Sequence, residues 1–150
     1  MATPHVPTYE DAQLILKLYE LRREEKLRAA RDWFTSKFFP QSPDDITATT
    51  GTENAYYRMV TTYWEMAASF VARGVLDAEL FFDSGGEMIL VWAKLAEFVP
   101  ALRKNLGSEN LLKNVEHVIT SSPRAAERVG VMRQRIAQVR ERMLAAAAKA

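Results

Sequence analysis

Apolar residues in this chain recur at three- and four-residue steps, a spacing that predicts helix rather than strand. The organising stretch is residues 50–106. Thr50 and Glu53 stand at capping-box spacing and open a helix whose buried face reads Tyr56, Met59, Val60, Tyr63, Ala67, Phe70 and Val71. Its opposite face carries Arg58, Thr61, Thr62, Glu65, Ser69 and Arg73, and Gly74 supplies a left-handed stop. Asp77 caps a short helix through Leu80, Phe81 and Phe82. Ser84 and Glu87 then repeat the capping spacing and open Met88 to Val99, apolar nearly all round and so expected among the most buried elements. Pro100 ends or kinks that helix before a last turn closed by Gly107.

The flanks are long. Thr8 caps a first helix that the pattern extends from Tyr9 to Phe38, about 45 Å at 1.5 Å per residue. Its apolar residues fall on two stripes that do not coincide, Leu14/Leu18/Leu21 and Leu16/Tyr19/Leu27/Ala30/Phe34, separated by the charged run 22–26. Two stripes imply two neighbours, one of them in another subunit. A short turn of helix starts at Ser42 or Pro43, and Ser108 caps a helix from Glu109 to Thr120. Ser122-Pro123 begins the last helix, where Val129, Met132, Ile136, Val139 and Met143 keep the spacing of a coiled-coil seam, continued by Ala146. Gly130 inside it costs about 1 kcal/mol against alanine and suggests close helix approach. The expected architecture is an all-α, single-domain bundle of five to six helices with long first and last members. Residues 1–8 form a tail, 9–148 the domain, and the helices at 53–73 and 87–99 its centre.

Composition narrows the chemistry. The 150 residues include no cysteine, which removes disulfides, thiolate catalysis and Cys-ligated metals. Two histidines, His5 and His117, do not make a histidine metal site, and no cofactor motif is present. Asp77, Glu79, Asp83 and Glu87 cluster, but Leu80-Phe81-Phe82 between them does not suit a calcium loop, and capping explains Asp77 and Glu87 better. Ser84-Gly85-Gly86 lacks the lysine and the glycine spacing of a phosphate loop. No segment approaches the ~20 apolar residues of a membrane span and the N-terminus has no apolar leader core, so a cytoplasmic protein with no membrane partner is expected.

Two sets of residues remain as candidate sites. Arg58 and Glu65 share the polar face of the central helix, and Tyr57, Trp64 and Trp92 are aromatics available to wall a pocket beside them. In that reading Arg58 holds an anion and Glu65 orients or deprotonates a small molecule; the competing reading is a solvated face over a core of aromatics. The second set lies on the last helix. Charge is uneven, with residues 51–120 at net −3 (six cations against nine acids) and 121–150 at net +5 (seven against two). Arg128, Arg135 and Arg142 repeat every seven residues beside the seam of Met132, Ile136 and Val139. They are placed to flank a partner helix or the acidic body of the same chain, and nucleic acid is not an expected partner.

The motifs Tyr-Glu-Leu-Arg-Arg at 19–23, Ala-Arg-Asp-Trp-Phe at 30–34, Pro-Gln-Ser-Pro at 40–43, Asn-Ala-Tyr-Tyr-Arg-Met-Val at 54–60, Tyr-Trp-Glu-Met at 63–66 and Ala-Ser-Phe-Val at 68–71 are similar to a group of small helical proteins of unknown function from soil bacteria, chiefly acidobacteria. The resemblance spans residues ~9–120 and implies a cytosolic bacterial helical domain, with no activity, cofactor or site residue attached. The leading functional expectation is a non-enzymatic interaction or scaffold module, as a homodimer or with another protein, through helix–helix contacts. The alternative is a small-molecule binder or acid–base enzyme near Arg58 and Glu65.

Overall fold

The computed structural model describes residues 5–150; the first half of the expected N-terminal tail, 1–4, lies outside them. Among the described residues there are nine helices and no strand: α1 (Tyr9–Arg22), α2 (Glu25–Ser36), α3 (Pro43–Thr47), α4 (Gly51–Ala72), α5 (Ala78–Ser84), α6 (Gly86–Leu95), α7 (Val99–Leu106), α8 (Lys113–Thr120) and α9 (Pro123–Ala148). Helix α4 packs against α2 and α8, and α6 against α9. Buried side chains from α1 through α9 join in one apolar cluster, with Trp64, Phe34, Phe81 and Phe82 its largest fully enclosed members. Large aromatics of this kind dominate core energetics through area and edge-on contacts. Trp33 stacks on Phe38 at 4.7 Å, and Tyr63 meets Trp64 edge-on at 5.0 Å.

The count exceeds five to six because two expected helices are each broken in two and the short turns α3 and α5 are helices in their own right. The first stops at Arg23, where Glu24 leaves helical geometry and its two carboxylate oxygens accept from the amides of Lys26 and Leu27. The break separates part of the two stripes: α1 turns Leu14 and Leu18 to the core and α2 turns Leu27, Ala30 and Phe34 to it, while Leu16, Tyr19 and Leu21 of α1 stay exposed. The second stops after Leu95, and residues 96–98 turn before Pro100 sits in the first turn of α7, a position that tolerates its missing N–H. Here proline belongs to a beginning and not to an end.

Several caps fall where the pattern puts them. Thr8 and Ser42 make capping boxes with Asp11 and Asp45, Asp77 accepts from Leu80, and Ser122 accepts from Ala125. Gly74 and Gly107 both adopt left-handed backbone just beyond their helices, the conformation that glycine enters without a Cβ penalty. Others do not. Thr50 makes no side-chain cap bond, Ser84 ends α5 instead of starting α6, and Glu87 is engaged elsewhere. Ser108 does not start a helix either, because residues 109–112 turn and α8 begins only at Lys113. Gly130 has open space around its Cβ position, so it mediates no close helix contact.

Candidate functional site

Arg58 and Glu65, the polar residues of the first candidate set, both lie on α4. Glu65 is half-buried, and both of its oxygens are occupied by the start of α8. Oε1 accepts from the Asn114 amide at 2.9 Å and its side-chain nitrogen at 2.7 Å, and Oε2 accepts from the Val115 amide at 3.1 Å. The residue before α8, Leu112, holds left-handed backbone at φ 54°, a conformation costing about 1–2 kcal/mol outside glycine, while its side chain is buried. No side chain next to α8 in sequence caps it, so Glu65 supplies the cap from 49 residues away. Arg58 is exposed on the same helix.

The three aromatics grouped with them go to separate places. Tyr57 meets Phe38 at 5.9 Å, and burial pushes its hydroxyl up to about 12. Trp64 is buried beside Tyr63 and Phe81, and its indole N–H donates to Glu87 at 3.1 Å. Trp92 is buried on α6. Glu87 also receives a two-pronged ion pair from Arg31, with Nε at 2.9 Å and Nη2 at 2.7 Å. The α4 set is therefore dispersed, with Glu65 in a cap and the tryptophans in the core.

Asp11, which is buried, works like Glu65. Burial alone would raise the Asp11 carboxyl, but the Asp77 amide, the Thr8 hydroxyl and amide and the His5 ring together hold it well below the usual carboxylate range. Its Oδ1 accepts from the Asp77 amide at 2.7 Å, tying the start of α5 to the start of α1. Through the His5 contact at 2.9 Å, the described part of the expected tail is folded back onto α1.

The last helix divides. Its first half lies on α6 and α8: Ala125, Val129 and Ile136 are buried and Met132 is packed against the core. Arg124 bridges Glu79 at 3.0 Å and Asp83 at 2.8 Å, and Arg128 donates to the Phe82 carbonyl at 3.0 Å. These arginines serve the acidic body of the same chain. Beyond Ile136 the seam continues into solvent, with Val139 38 % exposed, Met143 44 % and Leu144 58 %. Arg133, Arg135 and Arg142 are exposed and make no ion pair among the described residues. Of the six partner-facing residues expected here, Arg128, Met132 and Ile136 face inward, and Arg135, Val139 and Arg142 face out.

Between α9 and the end of α6 lies a cleft of about 200 Å³, lined by Ala93, Lys94, Glu97, Arg133, Ile136, Ala137 and Arg140. Lys94 is 97 % buried, its ammonium donating to the carbonyls of Phe34 (2.5 Å), Phe38 (2.7 Å) and Thr35 (3.2 Å) and lying 3.8 Å from the Phe39 ring centre. It closes the C-terminal end of α2, whose last carbonyls have no partner inside the helix. Burial pulls its pKa down to about 7, and the charge of Arg140 adds to that. Lys94 was not among the expected site residues. A lone cation inside Met88-Ile-Leu-Val-Trp-Ala-Lys-Leu was the available signal, since a helix buried all round leaves such a charge no route to water.

Residues 7–122 match the model of the family described as "Domain of unknown function (DUF4760)", and the chain belongs to that family. The match ends just before α9 begins. No curated protein and no solved structure matches. No helix among the described residues is long and apolar enough to cross a membrane.

Proposed function

We propose that this member of the family is a non-enzymatic interaction domain, and that the outer half of α9 is its docking arm for an acidic amphipathic helix of another protein. One observation carries the reading. A seam that is covered by the chain's own core up to Ile136 runs on uncovered through Val139 and Met143, between arginines that have no carboxylate of their own. Charge selects the occupant. A second copy of α9 would set arginine against arginine on both flanks, whereas glutamates on a partner helix would pair with Arg133, Arg135 and Arg142. Helix α9 lies outside the family match, so the match does not bear on this reading.

The test is fluorescence anisotropy of a labelled acidic helical peptide, with leucines on its seam and glutamates on its flanks, titrated with the full chain. The expected result is saturable binding that weakens as salt rises from 0.1 to 0.5 M on the order of a Debye-length change, and is lost when Val139 and Met143 are both changed to Asp. Equal binding by that double variant would overturn the reading.

A homodimer has a separate observation in its favour, and it lies on the other long flank. Tyr9, Leu16 and Tyr19 of α1 are 78 %, 67 % and 56 % exposed and, with Ala12, keep seam spacing on one face. Native mass spectrometry of the parent and of Leu16→Asp tests it: a dimer lost on the substitution supports self-association through α1, and a monomer in both removes it.

A further inference from the structure

The cleft between α6 and α9 holds cations that the protein does not neutralise. Lys94, Arg133 and Arg140 all line it, and none of the three forms an ion pair among the described residues. The three N–H groups of the Lys94 ammonium are all taken by backbone carbonyls, so it offers the cleft charge and no free donor. Arg140 is different. One nitrogen, Nη2, donates to the Pro40 carbonyl at 2.8 Å, while its Nε is buried and has no acceptor. A buried charged donor left without a partner is costly and rare in folded proteins. The one acid in the cleft, Glu97, is exposed and pairs with none of the three cations. The volume of about 200 Å³ equals several times the ~30 Å³ share of one liquid water.

We propose that this cleft binds a small free oxyanion, a phosphate or a carboxylate, received by the guanidinium groups of Arg133 and Arg140, which line it without an ion pair, with the Lys94 charge behind it. Planar guanidinium groups suit both chemistries, because each presents paired donors to paired oxygens. The site shares Arg133 with the docking arm but lies mid-way along α9 and needs neither Val139 nor Met143.

The experiment titrates the full chain with sodium phosphate and, separately, with sodium acetate, at constant ionic strength made up with chloride. Backbone amide resonances are followed by NMR. The expected result is a saturable shift confined to residues around Ala93, Lys94, Ala137 and Arg140, from at least one anion at or below about 10 mM. Saturation by phosphate alone identifies a phosphate group as the ligand, saturation by acetate alone a carboxylate, and saturation by both an oxyanion site that accepts either. Arg140→Gln should weaken binding about tenfold or more through loss of a charge-assisted bond. Arg133→Gln, at an exposed position where folding is not in question, should weaken it about two- to fivefold. Glu97→Gln should tighten it by a similar factor by removing the one repelling charge. No saturable shift with either anion, or saturable shifts that neither Arg133→Gln nor Glu97→Gln alters, would overturn the proposal.

Discussion

The two halves of α9 are one helix with one spacing and opposite surroundings. Residues 123–136 place Ala125, Val129 and Ile136 in the core and tie Arg124 and Arg128 to the body, while residues 137–148 carry the seam and Arg142 into solvent, with Arg140 reaching back to the Pro40 carbonyl. Periodicity specifies that a face is apolar, and only the length of the surface opposite decides whether the chain covers it. Helix α6 ends at Leu95, and the last hydrogen bond of α9 to the body is that of Arg140 to the Pro40 carbonyl, so the end of α9 outruns its partner.

Truncation along the seam breaks or sharpens this contrast most strongly. Ile136→Ala should destabilise the protein by about 2–4 kcal/mol, the usual cost of emptying an enclosed aliphatic site, and Met143→Ala by less than about 0.5 kcal/mol. Urea unfolding of both variants measures the difference, and equal losses would mean that the outer half is covered after all.

Next in size is the cap made across the chain by Glu65. Glu65→Ala leaves the amides of Asn114 and Val115 without acceptors and should cost about 1–3 kcal/mol, with faster amide exchange in α8 than in α4. Loss of stability with no local change in α8 would contradict the cap.

Lys94 gives a pH dependence whose sign follows from its surroundings. Its pKa of about 7 in the folded chain lies below the ~10.4 of an unfolded lysine, so between those values the unfolded chain binds the extra proton. Stability should therefore rise with pH from about 7 to 10, and this rise should vanish in Lys94→Met. Asp11 acts at the other end: its depressed carboxyl contributes stability above about pH 4 that is lost progressively as the solution is made more acid. Thermal melts across pH read both limbs.

The smallest expected effect is a gain. Gly130 is exposed in the inner half with nothing near its Cβ position, and Gly130→Ala should stabilise α9 by about 1 kcal/mol, measured by the same urea unfolding. A loss on substitution would mean that something packs against that face.

What could be read from the chain and what could not divide along a physical line. Caps made within one turn were legible: Thr8, Ser42, Asp77 and Ser122 start helices as their side-chain chemistry dictates. Helix ends held by distant residues were not. The start of α8 depends on Glu65, the start of α5 on Asp11 as well as Asp77, and the end of α2 on Lys94, contacts spanning 49 to 66 residues that no local window contains. The same limit scattered the Arg58 and Glu65 set. A polar face was visible, but the need of α8 for an acceptor was not. The outer seam was legible in full, because there the pattern meets nothing that rearranges it.

Hydrogen exchange of the full chain, with and without the acidic helical peptide, tests the central claim most directly. Amides of residues 137–148 should exchange fast in the free protein and become protected on binding, with α4 and α8 unchanged. Protection confined to the body, or none anywhere at saturating peptide, would contradict the assignment of the outer half of α9 as the docking arm.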